Sequence, residues 1–271
     1  MNQVEANAFG QDALGVLGLV RALRHSLAPV NPIPPEVLSL IPDYPDVKQV
    51  LVPLTHVCRG WRDLFASHSS LWTELAFVNI DKTGTYIERS KFSPLKIILK
   101  TWSDDGRVLA DPFSLVIPHI HRVKSPAIYG KTLPNVIGYF RRRVPFLEEL
   151  NISIFHDHEP ALDDSLFNGD LSLCQLILSG IVICLPGKGM ANLRTVHLGS
   201  YFSGHDISRL LDFFGSTSLL HTVSLEDSLP VLSDAPRKRI ISLSYLKVLS
   251  IGATAAHSIL LNHLHIPAGI W

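Results

Sequence analysis

Leu147-Glu148-Glu149-Leu150-Asn151-Ile152, Leu173-Cys174-Gln175-Leu176-Ile177-Leu178 and Leu193-Arg194-Thr195-Val196-His197-Leu198 share one form, L-x-x-(L/V)-x-(L/I). The form returns in Leu220-Val223-Leu225, Leu246-Leu249-Ile251 and Leu261-Leu264-Ile266. The leading leucines stand 26, 20, 27, 26 and 15 residues apart. One such hexad arises readily by chance; six at related spacing point to a repeated structural unit.

The intervals between hexads contain helical patterns. Ile207, Leu210, Leu211 and Phe214 follow i, i+3, i+4, i+7 behind Asp206, a capping residue type, and Val136, Ile137 and Phe140 do the same after Pro134. Helix then strand, repeated in one direction, predicts parallel strands with helices on the outer side. The inward leucines of each strand bury against the next unit, so no unit is stable alone. Most of the spacings fall in the 20–29 residues of leucine-rich repeats, which gives the expected fold class. It is α/β, a short helical segment followed by a leucine-rich-repeat-like solenoid with a parallel sheet. Leu95–Leu99 and Arg122–Ile128 read as further strands. The Asn or Cys that usually closes such a unit is missing, since Phe155, Ile181, Tyr201, Ser228 and Thr254 stand at that offset, so the convex side is expected to be irregular.

With the leucines turned inward, alternation turns their neighbours outward. That puts Glu149, Asn151, Thr195, His197, Thr222, Ser224, Ser250, His263 and His265 on a concave face, in neighbouring columns. They are polar, mixed and mostly uncharged, which suits a protein or peptide target. Beyond the last hexad, Pro267-Ala268-Gly269-Ile270-Trp271 offers no polar cap. The expectation is a shortened piece of a longer repeat protein, or an end that another chain covers, with the last units fraying first.

Upstream, residues 31–73 form a different block. Asn31-Pro32-Ile33-Pro34-Pro35-Glu36 carries prolines and an acid in the order that opens a helix, and Pro42 and Pro45 stop it early. Leu51, Leu54, Val57, Cys58, Trp61, Leu64 and Phe65 then fall on one face of a second helical pattern, opposite Arg59, Arg62 and Asp63. About 40 residues cannot bury enough surface for high stability by themselves. Residues 1–30 read as a short amphipathic helix (Leu14, Leu17, Val20, Leu23, Leu27) or a weakly ordered tail; Glu5 and Asp12 stand where a secretory signal would be basic. Residues 74–271 make up the repeat region.

Composition narrows the function classes. Hydrophobic residues at 46% and charged residues at 18% are enough for a large core and exclude wholesale disorder. Lys+Arg and Asp+Glu both number 24, so no global field favours nucleic acid or an anionic membrane, and neither is an expected partner. No apolar run is long enough to span a bilayer. Cys58, Cys174 and Cys184 have no disulfide-framework or zinc spacing and fit the reducing cytosol or nucleus.

Ile33-Pro34-Pro35-Glu36-Val37-Leu38, then Leu54-Thr55-His56-Val57-Cys58-Arg59-Gly60-Trp61-Arg62-Asp63-Leu64, then Ser70-Leu71-Trp72 resembles an F-box. It resembles in particular the F-box proteins of mushroom-forming fungi (basidiomycetes). Tyr86-Ile87-Glu88-Arg89-Ser90 with Ser93-Pro94-Leu95 looks like the segment joining box to repeats in those proteins. The resemblance implies a substrate-recognition subunit of an SCF-type cullin ubiquitin ligase. The box would dock on a Skp-family adaptor through Pro34, Leu38, Leu54, Val57, Cys58 and Trp61, with Glu36 supporting the first turn, and the repeats would hold an unknown target protein. Pro42 departs from the family, which usually has an aromatic after the residue corresponding to Ile41. The alternative is a repeat scaffold whose degenerate box no longer docks.

No catalytic or cofactor motif competes. His156-Asp157-His158-Glu159 reads as a polar loop, because adjacent side chains cannot all converge on one ion and Pro160 breaks a helix. His119 with His121, and His263 with His265, would each share a strand face and read as exposed or hydrogen-bonded histidines. Arg141-Arg142-Arg143 reads as a solvated helix end, and Gly187-Lys188-Gly189 lacks phosphate-loop spacing. The expectation is no enzyme, no metal and no cofactor.

Overall fold

The computed structural model describes residue 34 and residues 47–76, 80–101, 113–131, 144–155, 161–162, 172–183, 185, 190–199, 207–226, 239–252 and 259–267. The chain divides into two units, residues 1–71 and 72–271. The expectations for residues 1–30, Leu38, Val136–Phe140, Arg141–Arg143, His156–Glu159, Cys184, Gly187–Gly189, Asp206 and Ala268–Trp271 lie outside the described residues.

In the first unit, two short helices replace the single helix that the apolar stripe from Leu51 to Phe65 predicts. They are α1 (Val47–Thr55) and α2 (Arg59–Ser67). Pro53 lies in the last turn of α1, which tightens through bonds from the His56 N–H to Pro53 O (2.9 Å) and from the Val57 N–H to Leu54 O (3.3 Å). Cys58 is extended (φ −157°, ψ 174°) and starts α2 as its N-cap residue. Arg62 Nε donates to Thr55 O at 3.0 Å, so a side chain of α2 satisfies a carbonyl left open by the end of α1. Trp61 and Phe65 form the buried face of α2, with ring centroids 5.6 Å apart, while Arg59, Arg62 and Asp63 are exposed.

The second unit opens with β1 (Glu74–Ala76), α3 (Ile80–Ser90), β2 (Leu95–Thr101) and β3 (Val123–Gly130). It continues through β4 (Glu149–Ile154), β5 (Ala161–Leu162), β6 (Gln175–Ser179), β7 (Val182–Ile183) and β8 (Thr195–Leu198). It closes with α4 (Ile207–Ser216), β9 (Thr222–Leu225), β10 (Ile241–Ser242), β11 (Val248–Ile251) and β12 (Leu264–His265). Eight strands form one sheet in the order β1-β2-β3-β4-β6-β8-β9-β11, and every pairing is parallel. The order in the sheet is the order along the chain. β5 pairs with β7, and β10 with β12, in separate two-stranded parallel ladders.

Burial explains why these strands form. In β4, β6, β8 and β9 buried and half-buried residues alternate, and the leucine-type positions of those four hexads are all buried. Each adds side chains to one continuous core that also takes in Leu95, Ile97 and Leu99 of β2. α4 covers part of it with Ile207, Leu210, Leu211, Phe213 and Phe214, all buried, and turns Arg209, Asp212 and Gly215 outward. Pro126 is tolerated inside β3, where it has no N–H to give, because pairing with β4 starts only at Ala127↔Asn151.

Two expectations are corrected. Leu261-Leu264-Ile266 does not add a strand beside β11, because β12 pairs with β10 and its apolar residues are only half-buried. The 15-residue interval before it is too short to repeat a helix and a full strand. His119 and His121 lie on a 3-10 turn, Ile117–Arg122, rather than on a strand, and burial and the nearby Arg122 lower the pKa of His119.

Arg122 ties this turn to the end of α3. Its guanidinium is buried and donates to Ser93 O through Nε (3.1 Å) and Nη2 (2.8 Å), and to Ser90 Oγ (2.8 Å). A cation beside the carbonyls at a helix C-terminus is well placed. Arg122→Ala removes three hydrogen bonds donated by a charged group and is expected to cost about 2–3 kcal/mol. Urea denaturation checks this; a midpoint within error of wild type would contradict it.

Candidate functional site

The box helices present a small apolar surface. Val57, in the turn between α1 and α2, is 39% exposed, and Val52 on α1 is 43% exposed. Leu54 and Cys58 are half-buried, and Pro34 is exposed. Trp61 differs from the rest of the expected docking set. It is 8% exposed, and among the described residues its Nε1 has no hydrogen-bond partner. A buried indole donor without an acceptor costs stability, and its ring packs on Phe65 instead of standing free. Val52, missing from the sequence-derived set, lies on the exposed side of α1 one turn before the break.

The second candidate surface is the sheet face opposite the core. Strand register sets its columns. Glu149, Gln175, Thr195, Thr222 and Val248 form one column, and Asn151, Ile177, His197, Ser224 and Ser250 the next. Seven of the nine residues expected on this face are therefore brought together. His263 and His265 are not: His263 precedes β12 in a turn and its Nδ1 lies 2.7 Å from Arg239 O, and His265 pairs in register with Ser242. Gln175, Ile177 and Ser179 of β6 belong to the face but are absent from that set, although the hexad at Leu173 carried the signal.

Polar side chains on this face bond to one another. Ser125 Oγ donates to Glu149 Oε2 (2.6 Å), Asn151 Nδ2 to Tyr129 Oη (2.9 Å), and Ser153 Oγ to Asn151 Oδ1 (3.2 Å). Ser224 Oγ donates to Glu226 Oε1 (3.4 Å), and His197 Nε2 lies 3.9 Å from Glu226 Oε2. At Gly199 an added Cβ would lie 2.8 Å from Ser179 Oγ and 3.3 Å from His197 Nε2, so the face closes up where β8 ends.

Charges at the rim are compensated. Lys124 Nζ and Glu148 Oε2 are 2.9 Å apart, and that hydrogen bond raises the lysine's pKa. The Cys174 thiol is pushed up by burial and by the neighbouring Glu148, and its Sγ donates to Glu148 O at 3.2 Å. It stays protonated near neutral pH, a poor state for a nucleophile or a metal ligand. Among the described residues, no three His, Cys, Asp or Glu side chains cluster as a metal site. No helix among them is long and apolar enough to cross a membrane.

An F-box-like family model matches residues 31–78, which include α1, α2 and β1. No curated protein and no solved structure matches the chain. The chain thus carries an F-box-like domain, the kind of module that binds Skp-type adaptors.

Proposed function

We propose that this chain is the substrate-recognition subunit of an SCF-type cullin ubiquitin ligase. The F-box-like match over residues 31–78 carries the reading. The exposed Val52 and Val57 beside half-buried Leu54 support it, because a box so small has apolar surface left for a partner. The adaptor meets Pro34, Leu38, Leu54, Val57 and Cys58. Trp61 shapes this surface from behind by packing on Phe65.

Residues 74–271 act in this reading as an irregular leucine-rich-repeat-like domain. The in-order parallel sheet and its L-x-x-L-x-L strands support that assignment. Kinship with basidiomycete F-box proteins rests on the box and the joining segment at Tyr86–Leu95. The protein works by binding rather than catalysis, and in the cytosol or nucleus, where the ligase machinery resides.

Co-expression of the full chain with a Skp-family adaptor tests the proposal. The two should co-elute as a stoichiometric complex. An adaptor that elutes alone would leave a repeat scaffold with a degenerate box.

The target binds across the columns of the sheet face. Asn151→Arg with Thr195→Arg and Ser224→Arg places three cations on a surface that now carries none at those positions. Target capture in pull-downs should fall by at least about ten-fold while adaptor binding persists, since opposed or unpaired charges in an interface cost several kcal/mol. Capture that survives this change but is lost on replacing Arg209 and Asp212 of α4 would assign the target to the helical side.

A further inference from the structure

The two edges of the eight-stranded sheet are built differently. β1 has three residues and carries Glu74, ion-paired to Lys96 Nζ at 3.4 Å, the kind of charge that blunts an open edge. β11 reads Val248-Leu249-Ser250-Ile251, without charge or proline, and no described strand lies beyond it. Its side chains are also less covered. Val248 is 52% exposed, and Leu249 and Ile251 are only half-buried, whereas their β9 partners Val223 and Leu225 are 0% and 1% exposed.

The ladder fixes which backbone groups remain. The Val248 N–H donates to His221 O (3.0 Å) and the Gly252 N–H to Leu225 O (2.8 Å). Alternate residues of a parallel strand serve alternate neighbours, so Val248, Ser250 and Gly252 face β9, and Leu249 and Ile251 point their N–H and C=O groups away from it. Those two residues flank Ser250 symmetrically. A two-fold axis at Ser250 sets Leu249 against Ile251 of a second, antiparallel copy and Ile251 against its Leu249, and each pair exchanges two backbone hydrogen bonds. On the core side both cross-strand pairs are Leu with Ile. On the other side Ser250 meets Ser250, and Val248 meets Gly252. No like charges oppose each other. A slip of one residue would turn the core-side residues against the wrong face, which this register avoids.

We propose that a second copy of this chain docks on β11 edge to edge, with Ser250 on the two-fold axis, so that the sheet continues across the dimer. An isologous contact of this kind closes on itself and does not propagate into fibres. The proposal rests on the sheet alone and stands whether or not the box binds an adaptor.

Multi-angle light scattering of the full chain should show a dimer that dissociates on dilution. Ser250→Lys sets two lysines opposite each other at an exposed position and should run as a monomer, as should Ser250→Glu. An equimolar mixture of the two should regain the dimer, which a misfolded variant could not do. Ser250→Cys should form an intermolecular disulfide under mild oxidation, because Cα atoms of such a non-hydrogen-bonded pair lie about 4.5 Å apart, inside the disulfide range. The wild-type chain, with Cys58, Cys174 and Cys184, should not. A wild-type chain that is monomeric throughout, with no cross-link through position 250, overturns the proposal: the edge is then covered by the chain's own residues or by a different protein. A dimer that persists in both charged variants overturns it equally.

Discussion

Gly180→Ala is expected to lower the stability of the sheet unit by about 3 kcal/mol or more, placing it among the exceptional single substitutions. Gly180 follows β6 with φ +68°, a left-handed conformation that costs a residue with a Cβ about 1–2 kcal/mol. Space is the greater obstacle. A Cβ at this position would lie 1.7 Å from Ile154 O and 2.8 Å from Ile154 C, both backbone atoms at the end of β4. No rotamer change relieves a backbone clash, so β4 or β6 must move. Ile154, Leu178 and Ile181 around this point are all 2% exposed, and their packing would move with it. Gly215→Ala is the matched control. Gly215 is exposed in α4, and among the described residues an added Cβ meets only Ile241 Cδ1 at 3.4 Å and Arg239 Nη2 at 3.6 Å. Removing a helical glycine there should add about 0.5–1 kcal/mol. Denaturant midpoints of the two variants should therefore move in opposite directions; a Gly180→Ala midpoint equal to wild type would refute the close approach of β4 and β6.

The double replacement Leu54→Asp with Val57→Asp should reduce affinity for a Skp-family adaptor by about 100-fold or more. A buried apolar anchor at an interface typically carries about 2 kcal/mol or more, and every 1.4 kcal/mol is a factor of about ten. Each aspartate would also have to be desolvated unpaired on docking. The sites allow the change in the free protein, because Val57 lies in a turn and is 39% exposed, and Leu54 is half-buried. Arg59→Ala, on the polar side of α2, should leave affinity nearly unchanged. Isothermal titration of the folded variants reads both results, and wild-type affinity in the double variant would remove the docking surface from this part of the box.

The sheet is legible in the sequence through its period-two apolar pattern. Four successive hexads, from Leu147 to Leu225, put their apolar positions in one core, so alternation and direction could both be read. The α4 stripe was equally plain, down to Phe214. The break between α1 and α2 was not, because a tight turn at His56-Val57-Cys58 carries the 3.6-residue stripe across it without interrupting the pattern. β12 was misplaced for a related reason. Leu264 and Ile266 have the right spacing, yet pairing depends on where the preceding chain runs, and it runs back to β10. Trp61 shares the stripe with Phe65, on which its buried ring packs. The Arg122 anchor could not be read at all, because its acceptors at Ser90 and Ser93 lie 32 and 29 residues away in sequence.

Hydrogen exchange of the full chain, with and without a saturating Skp-family adaptor, tests the central claim most directly. An F-box that docks should slow exchange in α1 and α2, residues 47–67, and leave β4, β6, β8 and β9 unchanged, since those strands belong to the other unit. Unchanged exchange at residues 47–67 in the presence of adaptor, or slowing confined to the sheet strands, would contradict the assignment of this chain as an adaptor-bound recognition subunit.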